Sequence, residues 1–265
     1  MCYDISLHSD IKLTKQAFPR IVDRRKSQDL PLLQHTQPFS FPSLPVVMQK
    51  DGELSLTDMQ WSVDPVYLKD PKQRVKQRIS MANAQSERVL GDKRSFWYRL
   101  RTNRCLLPLS GTYEHREIAG WKIKVPYYIW MKDMSIMHIP CLYQLLETIT
   151  PNGEIITEGS FTMLTRPANQ VMRGIHNSGE YRHRMPLFLT PELEAFWVSP
   201  HFSEEDMKAV FDYELPGELL DFHPVYTIRG KASRPDGKDK FEKWHYENLP
   251  PLGNDQPLQP QMTLF

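Results

Sequence analysis

The chain has 265 residues, of which 40% are hydrophobic and 25% charged, with a formal net charge of +1. That is enough apolar material for one large core, and no linker separates the aromatic-rich stretches, so a single domain over residues 1–230 with an extended tail over 231–265 is expected. No run nears the ~18 residues of a membrane span, and Asp4, His8, Asp10 and Lys12 stand where a signal peptide would be apolar. The three cysteines, at 2, 105 and 141, offer neither a disulfide framework nor a paired metal spacing. A cytoplasmic monomer with reduced thiols and no metal follows.

In chain order, residues 10–26 carry helix-spaced Ile11, Leu13, Phe18, Ile21 and Val22, with Asp10 as cap and Pro19 as a kink or stop. Leu30 to Pro45, studded with Pro and Phe, reads as an ordered irregular loop. Pro45 to Met48 and Glu53 to Val63 read as strands joined at Asp51-Gly52, a dipeptide that tolerates the positive φ of a tight hairpin. Four more strands are predicted over Arg104–Tyr113, Trp121–Met131, Ser135–Thr148 and Glu154–Thr165, separated by turn chemistry at Ala119-Gly120, Lys132-Asp133 and Pro151-Asn152-Gly153. Pro167–His176 reads as a short helix. Thr190-Pro191-Glu192 and Ser203-Glu204-Glu205-Asp206 open two more, and His223–Arg229 reads as a last strand. The fold class is therefore α+β, a mixed and mostly antiparallel sheet forming a partial barrel with short peripheral helices. Cys105 and Cys141 fall within apolar strands and read as inert core thiols.

The near-zero net charge hides a segregation. Lys69 to Arg104 holds eleven Lys or Arg against Asp70, Glu87 and Asp92, an excess of eight that leaves the rest of the chain at −7. Pro191 to Asp221 holds nine acids against Lys208 alone. The acidic block reads equally well as a solvated face. In the basic block Arg94, Arg99, Arg101 and Arg104 interleave with Phe96, Trp97 and Tyr98, cations with flat rings, as suits a phosphate backbone and stacked bases.

Chemistry points to the first two residues, Met1-Cys2. Loss of the initiator would leave a thiol and a free α-amine on one residue, two carbons apart, able to close an aldehyde into a five-membered thiazolidine. An α-amine, with a pKa near ~8 against ~10.4 for lysine, is also the better nucleophile at neutral pH. Three further islands carry polar chemistry: Met81-Ala82-Asn83-Ala84-Gln85-Ser86-Glu87, Arg104-Cys105-Leu106-Leu107-Pro108-Leu109-Ser110-Gly111-Thr112-Tyr113-Glu114, and His183-Arg184-Met185-Pro186.

In this order and spacing, the islands resemble the boxes of the SOS-response-associated peptidase family, the abasic-site-processing proteins, over positions 2 to about 190. The resemblance implies covalent capture of abasic sites in single-stranded DNA by Cys2, through a Schiff base and then a thiazolidine. No metal or organic cofactor is implied; removal of Met1 with Glu114 as general base and lyase chemistry are. It gives Asn83 the holding of the sugar or the N-terminal residue, Glu114 the acid/base role, and His183 the protonation of the sugar ring oxygen. Arg78, Arg88, Arg101, Arg104 and Arg184 would grip DNA and Trp61 would wedge between bases. On residue types alone Asn83 also fits a cap or turn, Glu114 an exposed strand end and His183 a phosphate contact, and spacing does not set His176 or His223 aside. The chain departs from the family pattern at Tyr3-Asp4, where Gly-Arg is common, at Gln85, where an arginine is usual, at Thr112 and His115, and at Trp61-Ser62-Val63, where Trp-Gly-Leu is typical. Two other readings stand beside this one: a single-strand-binding module without chemistry, and a thiol hydrolase using Cys2, His183 and Asn83.

Overall fold

The structure is a computed structural model and describes residues 2–26, 32–229 and 234–255. From the N-terminus come β1 (Asp4–Leu7), α1 (Lys12–Ala17), β2 (Val22–Asp23), β3 (Leu33–Thr36), β4 (Ser43–Lys50) and β5 (Glu53–Trp61). The basic stretch follows as α2 (Pro71–Ser80), β6 (Asn83–Gln85), α3 (Ser86–Gly91) and α4 (Phe96–Leu100). Then come β7 (Arg104–Leu109), β8 (Gly111–Arg116), β9 (Val125–Met131), β10 (Met137–Ile149) and β11 (Ile155–Pro167). The last elements are α5 (Gln170–Ile175), β12 (Arg184–Pro186), α6 (Pro191–Trp197), α7 (Glu204–Asp212) and β13 (Leu220–Pro224).

Strands β11, β10, β7, β4 and β5 hydrogen-bond in that order, and β5 pairs again with β11 through Ser160 opposite Gln60, which closes a five-stranded barrel. Its strands alternate between two cores, as the period of two requires. Val46, Met48, Met59, Leu107, Cys141 and Met163 turn into the barrel. Their neighbours Val47, Leu56, Leu106, Leu142 and Leu164 face outward under Trp97, Trp197, Met207 and Val210 of the helices. Both faces of these strands are thus buried, which is why they read as unbroken apolar runs. Cys105 and Cys141 sit opposite each other in the register and are fully buried.

A second sheet, ordered β13-β9-β8-β1-β3, leans on the first. The Asp51-Gly52 turn takes φ of 52° and 82°, the paired positive values of a two-residue hairpin. The first helix stops at Ala17, before Pro19. The expected Arg104–Tyr113 strand breaks at Ser110, whose hydroxyl accepts the His8 and Ser9 N–H groups and turns the chain from one sheet into the other. The stretch expected to be irregular contains β3 and a single 3-10 turn over Pro38–Ser40, while 30 and 31 lie outside the described residues. The last strand lies at 220–224 rather than His223–Arg229.

The described part of the tail, residues 234–255, is tied to the body by hydrogen bonds. The fully buried Arg116 donates to Asp255 (2.8 Å) and to the carbonyls of Pro250, Pro251 and Asn254 (2.7–2.9 Å). Residues 256–265 lie outside the described residues. Among the described residues no helix is long and apolar enough to cross a membrane, and no group of three or more His, Cys, Asp or Glu is arranged to hold a metal.

Candidate active site

The register of β1 against β8 sets Asp4 opposite Tyr113 and so runs residues 2 and 3 alongside Glu114. Cys2 is fully buried, and its thiol and the Glu114 carboxyl are close enough to shift each other's proton affinity. From the barrel side, β6 lies parallel to β11 with Asn83 opposite Met163, and the Asn83 amide donates to the Cys2 carbonyl at 3.1 Å. The Asn83 Oδ1 and Glu114 Oε1 atoms, both buried, have no partner among the described residues. Two acceptor oxygens thus converge on residue 2 with hydrogen-bonding capacity in hand, which an amine or a hydroxyl can fill.

Burial drives the ionisations here. It pushes Glu114 up to about 7, against the opposing hydrogen bond from Cys2, so the carboxyl is about half protonated at neutral pH. It also pushes the Cys2 thiol well above its ordinary range, helped by the nearby Glu114. The thiol therefore stays protonated until something takes its proton.

The imidazole that reaches this carboxyl is His176, not His183. Nε2 of His176 lies 3.7 Å from Glu114, while its Nδ1 is 2.8 Å from the Arg184 carbonyl. A carbonyl only accepts, so Nδ1 carries the hydrogen and the lone pair of Nε2 points toward Glu114. Burial holds this ring down to about 4, neutral at pH 7. His176 ends α5, a helix capped by the Asn169 side chain on the Met172 N–H (3.0 Å). His183 sits at φ 59° with an exposed ring, and it is engaged through its backbone, its N–H donating to the His176 carbonyl at 2.7 Å.

That 2.7 Å bond and the one from the Ala168 N–H to the His183 carbonyl (2.9 Å) fold the 177–182 loop back, so that the two histidines bracket it. The sequence favoured His183 for its adjoining Arg-Met-Pro and left His176 open; in the structure it is the His176 ring that lies beside Glu114. The cue in the sequence was the apolar helix that ends on His176.

The expected DNA-gripping residues fare unevenly. Trp61 is fully buried, its ring parallel to that of Phe161 and its indole N–H on the Ala82 carbonyl (3.0 Å), so it is not placed to wedge between bases. Arg78 donates to the Ser62 carbonyl (3.1 Å) and to Gln60 (2.5 Å), and its own carbonyl accepts the Ser62 hydroxyl. These bonds secure Ser62 at φ 86°, a conformation that favours the glycine typical of the family pattern. Arg104 donates to the carbonyls of Trp197 and Ser199 (2.9 Å each). Arg101 pairs with Glu204 (3.1 Å) over the Tyr98 ring. Arg184 is held by both oxygens of Glu87 (2.5 and 3.0 Å) and by the Thr165 carbonyl (2.7 Å). Arg88 alone of the set is exposed and makes no ion pair among the described residues. It lines a cleft of about 330 Å³ with Tyr67, Asn83, Gln85, Phe96 and Tyr181. Lys72, Lys76 and Lys93, exposed and likewise without an ion pair among the described residues, lie in the same basic stretch.

A barrel with a cysteine at residue 2, held from separate strands by an asparagine and a glutamate beside a histidine, defines the class. The family model for SOS response associated peptidase (SRAP) matches residues 1–231, and the chain belongs to that family. It is 31% identical over 151 residues to the abasic site processing protein YoqW of Bacillus subtilis, a match covering 57% of this chain and 60% of that protein. It is 24% identical over 204 residues to the abasic site processing protein HMCES of Gallus gallus, covering 68% of this chain and 56% of that one. The matches thus span about three-fifths of these relatives' length. Among solved structures, a protein from Bacteroides thetaiotaomicron superposes with a TM-score of 0.70 at 22% identity, covering 91% of this chain and 97% of that one. One from Bordetella bronchiseptica superposes with a TM-score of 0.64 at 18% identity, covering 85% and 100%. These two likenesses speak to the fold.

Proposed function

We propose that this protein captures abasic sites in single-stranded DNA covalently through Cys2, once Met1 has been removed. The observation that carries the reading is the convergence of Asn83, Glu114 and His176 on residue 2 with buried acceptor oxygens unfilled. Cys2 is fully buried, so the reading requires the site to open before DNA can reach the residue. The same Glu114 is the group at hand to activate water for the removal of Met1.

An abasic deoxyribose is mostly a closed hemiacetal. Its opening removes a proton from the 1-hydroxyl and adds one to the ring oxygen, and the Glu114 and His176 pair moves that proton. The α-amine of Cys2 then attacks the aldehyde carbon, and Glu114 in its acid form protonates the carbinolamine hydroxyl, which leaves as water. The thiol adds to the resulting Schiff-base carbon, its proton passes to Glu114, and the thiazolidine closes. One C–N bond and one C–S bond form, and one water leaves. A neutral His176 accepts the first proton and a half-protonated Glu114 both gives and takes near pH 7. The strand itself is assigned to the cleft beside Asn83, with Arg88, Lys72, Lys76 and Lys93 along the phosphates in place of the arginines held within the fold.

The trial is direct. Processed protein is incubated with a single-stranded oligonucleotide carrying one abasic site and run on a denaturing gel. A heat-stable adduct that Cys2→Ala does not form is expected. Binding that ignores the abasic site and leaves no adduct would return the chain to a plain single-strand-binding module.

A further inference from the structure

Beside the candidate site lies a second carboxylate that the chemistry above does not use. Asp4 is buried, and three groups from two segments close on it: His35 Nε2 from β3 (2.7 Å) and Gln37 Nε2 just after it (2.7 Å), and Arg229, through Nε (3.2 Å) and Nη2 (2.5 Å). Arg229 comes from the stretch after β13, nearly the whole chain length away, and about half of its side chain is exposed. That stretch is fastened in its turn. The Thr227 hydroxyl donates to the Arg229 carbonyl (3.1 Å), Lys240 Nζ donates to the Ile228 carbonyl (3.2 Å), and the Lys240 N–H donates to the Gln34 side chain (3.0 Å), next to His35. Asp4 also stands where the family pattern commonly has arginine, so the sequence departure and its compensation meet at one point.

We propose that Arg229 is a positioning residue for the chemistry at Cys2: clamped on Asp4, it cancels that carboxylate's charge next to Glu114, so that Glu114 answers to Cys2 and His176 rather than to a second anion. Resting on the function proposed above, this names a residue that acts through Glu114 without touching the reacting atoms. Both charges are felt at Glu114, Asp4 pushing its proton affinity up and Arg229 pulling it down. Burial pushes Asp4 itself upward, but the bonds from His35 and Arg229 outweigh it and hold Asp4 below its ordinary value, so the group is an anion at neutral pH. The other ionisable groups facing this corner are His115, which burial keeps neutral with a value down to about 4, and His35. Tyr127, opposite Glu114 on β9, turns its hydroxyl to Arg116 instead.

The test follows the Glu114 carboxyl by carbon NMR on protein labelled at glutamate, titrated with and without the Arg229→Gln change. The midpoint should rise by roughly half a unit or more in Arg229→Gln, stay near its original place in Arg229→Lys, and return when Asp4→Asn is added to Arg229→Gln. Should Arg229→Gln fail to fold, Asp4→Asn alone decides: it should lower the midpoint, since the anion is gone and the cation remains. A midpoint indifferent to both changes overturns the proposal, as does an equal shift with and without Asp4. Arg229→Gln lowers the base form of Glu114 that takes the thiol proton, so ring closure in the capture reaction should be roughly threefold slower at pH 6.5, the rate equivalent of a half-unit shift, and recover by pH 8.5. An NMR shift without any adduct from the unaltered protein would sink the capture reading and leave the electrostatic role of Arg229 standing.

Discussion

A buried carboxyl that titrates near neutrality carries a stability cost as well as a chemical use. Glu114 moves from an ordinary 4.5 up to about 7 on folding. Its folded value lies above the unfolded one, so folding favours the protonated form. Stability from this group is present below 4.5 and is lost as pH rises through 7. Glu114→Gln should therefore stabilise the protein by up to about 3 kcal/mol at pH 8 and by under about 1 kcal/mol at pH 5, measured by denaturant unfolding, while ending adduct formation. A gain independent of pH would place the carboxyl in water. The two histidines divide in the same spirit. His176→Ala should slow capture by about a hundredfold and His183→Ala by no more than a few-fold in single-turnover gels, because only His176 faces Glu114. The three boxes and Cys2 were legible in the sequence because they are contiguous words. The choice between His176 and His183 was not, since seven residues separate His176 from the strand whose carbonyl orients it, and that closure is a property of the folded chain.

Elements show the same division between local and distant signals. The β4–β5 hairpin, the barrel strands, the proline start of α6 and the capping box of α7 follow from turn chemistry, apolar runs and acids at helix starts, all readable within a few residues, although Thr190 makes no side-chain cap bond. The pairing of β1 with β8, which builds the site, joins segments more than a hundred residues apart and leaves no local trace. The basic stretch was legible as charge, but not as to which cations face solvent. Its helix α2 has no buried residue, so Lys72 and Lys76 stay outward, whereas Arg101 and Arg104 turn back to Glu204 and to the carbonyls of Trp197 and Ser199 at the end of α6. Lys72→Gln and Lys76→Gln should each lower the salt slope of single-strand binding by roughly 0.7 for every phosphate left without its cation. Arg104→Gln should instead lower the unfolding midpoint and leave that slope in place. Equal slopes across all three variants would put the nucleic acid elsewhere on the surface.

Across the whole molecule, the two ends of the chain are mutually dependent. Residue 2 is placed by β1, β1 is held against β8, and β8 ends at Arg116, whose guanidinium has no exposed surface and, apart from the Tyr127 hydroxyl, takes its acceptors from residues 250–255. A buried cation stripped of its partners is far costlier than an apolar residue of similar size. Truncation after residue 249 removes Asp255 and three carbonyls together, and should destabilise the protein by about 3–5 kcal/mol in denaturant unfolding. Arg116→Met in the full-length chain should cost less than that. In the truncated chain the same substitution should restore part of the loss, because the uncompensated charge disappears with the arginine. Additive effects of the two changes would mean that the tail acts by covering apolar surface alone. The predicted coupling instead makes the tail a counterion for the strand that carries Glu114, with capture by Cys2 weakened at physiological temperature once the tail is cut.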